Sequence, residues 1–250
     1  MPFTLSHVVA VLPFYRKFKN HLSISGLMMG SMAPDFEFFI RNTLYGIWGH
    51  TLLGMFWFDI PISILLCYVF HRWVRNTLIT YGPKFIWNKF NNLIYFDWTN
   101  YLKKNFLKVI ISIFFGILTH FVWDNLTHEP NYVFPFHFSI LSTPLIIFGI
   151  KLPIYFLLQI LSSIFGLVGF LLIIYYKSNL ITIPNNPVTD KAKFWYTFVA
   201  VSALIFCFRY AIGIPDEKPF GQFVVISIGS SLYGLVFTSM FFKKYYVNKN

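Results

Sequence analysis

The stretch FLKVIISIFFGILTHFVWDNLTH, Phe106–His128, decides how this chain is read. Its first 22 residues are mostly apolar, and about 20 helical residues cross a bilayer core. Only Lys108 is charged before His120, which is followed by Asp124 and His128. The segment reads as a transmembrane helix with a polar stripe near one end. On a helix, positions i, i+4 and i+8 share a face, so His120, Asp124 and His128 align.

Four further segments are long and apolar enough to span: Tyr45–Phe70, Leu152–Tyr176, Phe194–Gly213 and Phe220–Phe242. Pro61, Gly166 and Gly234 inside them are tolerated in membrane helices. Thr4–Phe14 is too short to span. Leu22–Ile40 carries Pro34, Asp35 and Glu37, and reads either as a sixth span or as a re-entrant helix. Ile79–Tyr101 reads as an interfacial segment, and residues 178–190 as a polar loop. The predicted fold is all-α: a polytopic bundle of five to six spans plus short re-entrant or interfacial helices. Residues 1–250 form one membrane domain, with residues 1–130 as the metal-site half and 131–250 as supporting helices.

Composition agrees. Of 250 residues, 56% are hydrophobic, 22% aromatic and 12% charged. A soluble domain carries about 25% charged residues. The net charge of +11 lies in short clusters between apolar segments, such as Arg72–Arg75 and Lys103–Lys104. That placement fits cytoplasmic loops and excludes nucleic acid as a partner. Residues 71–108, residues 177–193 and the C-terminus are therefore assigned to the cytoplasm, and loops 128–151 and 214–219 to the outside. Arg16, Lys17 and Lys19 also favour the cytoplasm, whereas a shared site needs His7 on the outward side. The two cysteines, Cys67 and Cys207, read as buried thiols. The first residues lack the charged start of a cleavable signal peptide.

Ionisable groups in membrane segments are rare, and each is a candidate functional residue. Besides the stripe there are His7, Asp35 with Glu37, and His50 near the start of the first long span. The loop charges put His50 and His120–His128 at one membrane face. Imidazole and carboxylate together make zinc-type sites. The alternatives are polar packing between helices and ion or proton passage. Asp59, beside Pro61, is expected to bond a freed backbone amide, and His21, His71 and His137 to sit in interfaces or loops.

These residues carry a resemblance. Pro2–His7, Gly30–Glu37, His50–Gly54, Phe58–Pro61, Leu118–His128 and Leu158–Ser163 resemble the bacterial membrane family known as domain of unknown function 4184. More distantly, His7, Asp35, His50, His120 and Asp124 occur in the order and spacing of membrane-bound metal-dependent hydrolases and of zinc-dependent phospholipases C and single-strand nucleases. The soluble enzymes have further His and Glu ligands; here only His128 follows, with Glu129 beside it. The resemblance implies a divalent metal, zinc, as one or two ions held by His7, Asp35, His50, His120, Asp124 and His128. It implies Asp35 or Glu37 as catalytic base. The implied activity is hydrolysis of a lipid or lipid-linked ester or phosphoester near the outer leaflet of a bacterial inner membrane. Membrane lipids and membrane-protein subunits are the expected partners. The alternative is a non-enzymatic structural or accessory subunit whose polar cluster fixes helix packing.

Overall fold

The computed structural model describes residues 4–130, 132–135, 138–178, 190–215 and 217–243. The helices are α1 (Leu5–Phe18), α2 (Ile24–Arg41), α3 (Met55–Tyr81), α4 (Lys84–Phe90), α5 (Trp98–Lys104), α6 (Phe106–Thr127), α7 (Ile154–Tyr176), α8 (Lys191–Ala211) and α9 (Pro219–Phe241). Among the described residues, α3, α6, α7, α8 and α9 are long and apolar enough to cross a membrane. The chain is an all-α integral membrane protein. Its described residues fall into two interleaved units, one drawn from Met1–Glu37, Ile47–Leu65 and Asn105–Tyr176, the other from Phe38–Gly46, Leu66–Lys104 and Lys177–Asn250.

Hydropathy places the first long span at Tyr45–Phe70, but the helix runs Met55–Tyr81. Residues 45–54 are apolar yet form turns, because their amides bond outside any helix. The helix then continues through Arg72, which is exposed, and Arg75, which is buried and bonded to His71 and Asn76. Ile79–Tyr81 thus complete α3, and the remainder of the expected interfacial segment is α4, a 3₁₀ turn at Asn91–Tyr95 and α5. Two π-helical turns, Met55–Asp59 and Phe70–Val74, interrupt α3. His71 lies inside the second, with its ring stacked 4.6 Å from Trp98. The loop between α6 and α7 holds an unexpected hairpin, β1 (Pro144–Ile147) and β2 (Ile150–Pro153), turned at Phe148-Gly149, both with positive φ. His137 and residues 179–189 of the polar loop lie outside the described residues.

In the first unit, α2 lies along α6 at backbone contact. Without a hydrophobic drive between helices in lipid, small residues that permit close approach supply the packing. A Cβ on Gly30 would fall 2.3 Å from the Ile113 carbonyl oxygen, and one on Gly116 would fall 2.5 Å from that of Leu27. Near the start of α2, the Ser23 amide donates to Ser112 Oγ at 2.7 Å. Farther along, His120 meets the Ser31 carbonyl at 2.8 Å. The helix α1 runs the opposite way: His7 lies near Asp124, whereas Lys108 Nζ donates to the Asn20 carbonyl at 3.0 Å. The basic run Arg16–Lys19 and the histidine occupy opposite ends of one helix. Against α7, a Cβ on Gly166 would lie 2.2 Å from Ser6, which fixes the approach of the residue before His7.

In the second unit, Tyr81, Phe194 and Phe242 form an aromatic cluster, with Tyr81 and Phe194 stacked at 4.8 Å. The α9 residue Gln222 accepts from the Leu44 amide at 3.0 Å.

Gly30→Ala and Gly116→Ala should each force the helices apart. We expect a loss of about 1–3 kcal/mol, read as a lowered thermal transition in detergent. An unchanged transition would contradict this packing.

Candidate metal centre

The first unit concentrates polar groups that a membrane interior disfavours. On α2, Asp35 and Glu37 are two apart and so point to different faces. Both are buried, as are His7, His120 and Asp124. The loop between α2 and α3 delivers His50.

Glu37 shapes that loop. Its carboxylate accepts from the backbone amides of Ile47, Trp48 and Gly49 at 2.7, 2.9 and 2.7 Å. These three bonds satisfy a short non-helical stretch and end immediately before His50. The sequence offers Glu37 as a catalytic base; the structure gives its carboxylate a positioning role instead, because both oxygens are committed to amides. Next, the Thr51 hydroxyl bonds the Trp48 carbonyl and accepts from the Gly54 amide, which fixes the turn into α3.

Four side chains converge. His50 Nε2 lies 3.6 Å from Asp35 Oδ1 and 3.4 Å from Asp124 Oδ2. His120 Nε2 lies 3.8 Å from Asp35 Oδ1 and 3.3 Å from Asp124 Oδ2. The two Nε2 atoms are 3.3 Å apart. One ligand atom from each of Asp35, His50, His120 and Asp124 lies within 4.8 Å of the other three, so the group could hold a metal ion. Zinc bonds of 2.0–2.2 Å place tetrahedral ligand atoms roughly 3.3–3.6 Å apart. Most of the measured separations match that spacing.

Local bonding prepares these atoms. The Ser31 carbonyl can only accept, so His120 Nδ1 carries the proton and Nε2 presents a lone pair to the cluster. Asp35 Oδ2 accepts from the Thr4 hydroxyl at 2.7 Å, which leaves Oδ1 toward the histidines. Asp35 Oδ1 and both oxygens of Asp124 are buried without a hydrogen bond, with only imidazoles beside them. Burying two carboxylates together is costly. A cation among them supplies what the donor set lacks. Burial opposes a proton on His50, but the carboxylates of Asp124 and Asp35 outweigh it and raise its pKa to about 9.

Asp124 also faces a second pair. Its Oδ1 lies 3.5 Å from His7 Nε2 and 3.8 Å from His128 Nδ1. His7 stacks on His120 at 3.9 Å, and both its nitrogens lack a partner. Burial pushes the pKa of His7 down to about 3 and that of His128 to about 4, so both are neutral. The expected stripe ends one residue early. His128 follows the last turn of α6 in an extended conformation, yet its ring turns back to the Asp124 carbonyl at 3.0 Å.

Other side chains complete the surroundings. Gln159 on α7 meets His128 Nε2 at 3.1 Å. Tyr132 stacks on His128 at 4.3 Å and sets its edge 5.3 Å from His50. Gln159 was legible as a lone amide in an apolar span; Tyr132 gave no signal, since it lies in a loop rich in aromatics. Asp59 departs from expectation. Its carboxylate bonds no freed amide and is buried with both oxygens unpartnered, because the π-turn joins the Ile60 amide to the Met55 carbonyl instead.

Fold and site together define a helical integral membrane protein with a buried His–Asp cluster able to hold a metal ion. The chain belongs to the family described as Domain of unknown function (DUF4184), whose profile matches residues 1–240. Comparison with curated proteins and with solved structures gives no match.

Glu37→Gln removes one acceptor oxygen from the loop before His50. We expect the folded protein to bind zinc about 10- to 100-fold more weakly, as for other supports of metal ligands, measured by competition with a chelator. Unchanged affinity would argue against the positioning role.

Proposed function

We propose that this protein is a metal-dependent membrane hydrolase that cleaves a lipid or lipid-linked ester or phosphoester near the outer leaflet of a bacterial inner membrane. The observation that carries the reading is the approach of His50 Nε2, His120 Nε2, Asp35 Oδ1 and Asp124 Oδ2 at tetrahedral spacing. Zinc is the proposed ion, because the donor set is nitrogen and oxygen on a near-tetrahedral frame. The two oxygens of Asp124 face different histidine pairs, which supports a second ion held by His7 and His128.

When bound, zinc acts as a Lewis acid and brings the pKa of a coordinated water near 7. The chain's own residues do the rest. His120 is oriented by Ser31, His50 by the loop that Glu37 holds, and Asp35 by Thr4. Asp35 is the proposed base through Oδ1, which faces the histidines; His50, His120 and Asp124 would then hold the ion and leave its fourth position open. Within the cluster, His50 and His128 each keep 11% of their side chains exposed, whereas His7, His120, Asp35 and Asp124 keep at most 1%. Substrate therefore approaches past His50 and His128, with Tyr132 between them. These histidines follow or precede the apolar ends of spanning helices, so headgroup depth suits an ester of a membrane lipid. Membrane lipids are the proposed partners, with further membrane-protein subunits where the protein works in a complex.

Metal analysis of protein purified in detergent tests the reading. Wild type should carry about one or two equivalents of zinc and hydrolyse a lipid phosphoester or ester. His120→Ala and Asp124→Ala should lose the metal and at least about 10²-fold of the activity. If wild type holds no transition metal and both variants fold unchanged, the cluster serves helix packing and the hydrolase reading fails.

A further inference from the structure

Between α6 and α7 the first unit carries a surface that the metal cluster does not use. A 3₁₀ turn at Ser139–Ser142 and the β1–β2 hairpin follow α6 and lead into α7. Residues 138–153 hold one charge, Lys151, and no acid. Every residue of β1 is exposed, and so are Phe148, Gly149, Ile150 and Lys151. Phe148, at the turn, touches almost nothing, and Ile146 and Ile150 are 70% and 61% exposed. A surface in water rarely gathers so many bare apolar side chains.

The strand register gives the hairpin two unlike faces. Successive residues of a strand point to opposite sides, and directly paired residues share a side. Leu145 pairs with Leu152 and Ile147 with Ile150, so one face is wholly apolar. Ile146 pairs with Lys151 and Pro144 with Pro153, so the other face carries the charge. A lone two-stranded hairpin is marginal in water and needs something against its apolar face.

Its attachment says what that is. The Ile154 amide donates to the Thr143 carbonyl at 3.2 Å, and the 3₁₀ turn and β2 pack against α7. The exposed side chains Phe156, Leu158, Ile160 and Leu161 then continue the hairpin's apolar surface along a spanning helix. At the cluster end of the same unit, Trp48, two residues before His50, meets Trp57 edge-on at 5.0 Å, and both are partly exposed. Indoles of this kind mark the headgroup belt. The outer edges of a two-stranded hairpin also present unpaired amides and carbonyls, which hydrocarbon cannot satisfy and interfacial water can. An apolar face with bare polar edges suits the boundary between headgroups and acyl chains.

We propose that the β1–β2 hairpin is a membrane-interface anchor. The face formed by Leu145, Ile147, Ile150 and Leu152 rests on the acyl chains of the leaflet at the cluster end, and Lys151 turns to the lipid phosphates. A lipid surface is the occupant because the apolar face runs on into the exposed side of α7 and the one charge is a cation. The inference stands on the fold and is independent of metal binding and hydrolysis.

Nitroxide labels on the full chain in vesicles of phosphatidylethanolamine and phosphatidylglycerol test it. Leu145→Cys, Ile150→Cys and Lys151→Cys each supply one site in a Cys207→Ser background, where the remaining Cys67 is buried. All three sites are exposed, so the fold does not rest on them. Labels at 145 and 150 should collide more with oxygen, which partitions into lipid, than with a water-soluble nickel chelate. The order should invert at 151. Nickel predominating at all three positions would put the hairpin in water and overturn the proposal. So would an equal oxygen preference at all three, or labels at 145 and 150 shielded from both reagents, the sign of a second copy or another protein over this face.

Discussion

Two buried carboxylates, Asp35 and Asp124, approach the same two imidazole nitrogens, and the first unit is organised around that juxtaposition. Like charges in a low-dielectric interior repel strongly. Neither acid is relieved by a lysine or arginine among its described contacts. Imidazoles surround them instead, and each imidazole has its own support. The result is an acceptor-rich pocket whose charge calls for a cation, set inside a bundle with little other charge.

Placing these groups requires helices at backbone distance. Gly30 and Gly116 bring α2 against α6, and that approach carries the Ser31 carbonyl to His120. Gly166 does the same for Ser6, the neighbour of His7. In lipid, close packing and satisfied polar groups decide stability, because burying apolar surface gains little. Small residues in the helices and histidines in the cluster are thus parts of one arrangement. Glu37 extends it into the loop: without its three amide contacts, residues 47–49 would leave backbone donors unsatisfied just before His50.

Much of this was legible in the sequence, for identifiable reasons. The five spans are visible because hydrocarbon demands long apolar runs, and α6 matches its expected bounds. The acids and histidines stand out because such residues are scarce in apolar helices. Other features were hidden. The start of α3 could not be read, because residues 45–54 are apolar enough to be helical and are held otherwise by Glu37 and Thr51. The role of Glu37 was hidden for the same reason: an acid next to Asp35 looks like chemistry until its partners are seen. The hairpin at residues 144–153 was obscured because an apolar run of that length does not distinguish strand from helix. The direction of α1 followed only from contacts at its two ends, since its charges and His7 pull toward opposite faces.

The account stands on a metal ion held by nitrogen and oxygen within the cluster of Asp35, His50, His120 and Asp124. X-ray absorption at the zinc edge of the purified protein tests this most directly. The account predicts a four-coordinate shell of nitrogen and oxygen at about 2.0–2.2 Å, with imidazole scattering beyond it. A sulfur shell near 2.3 Å, or a spectrum of fully hydrated zinc, would contradict it.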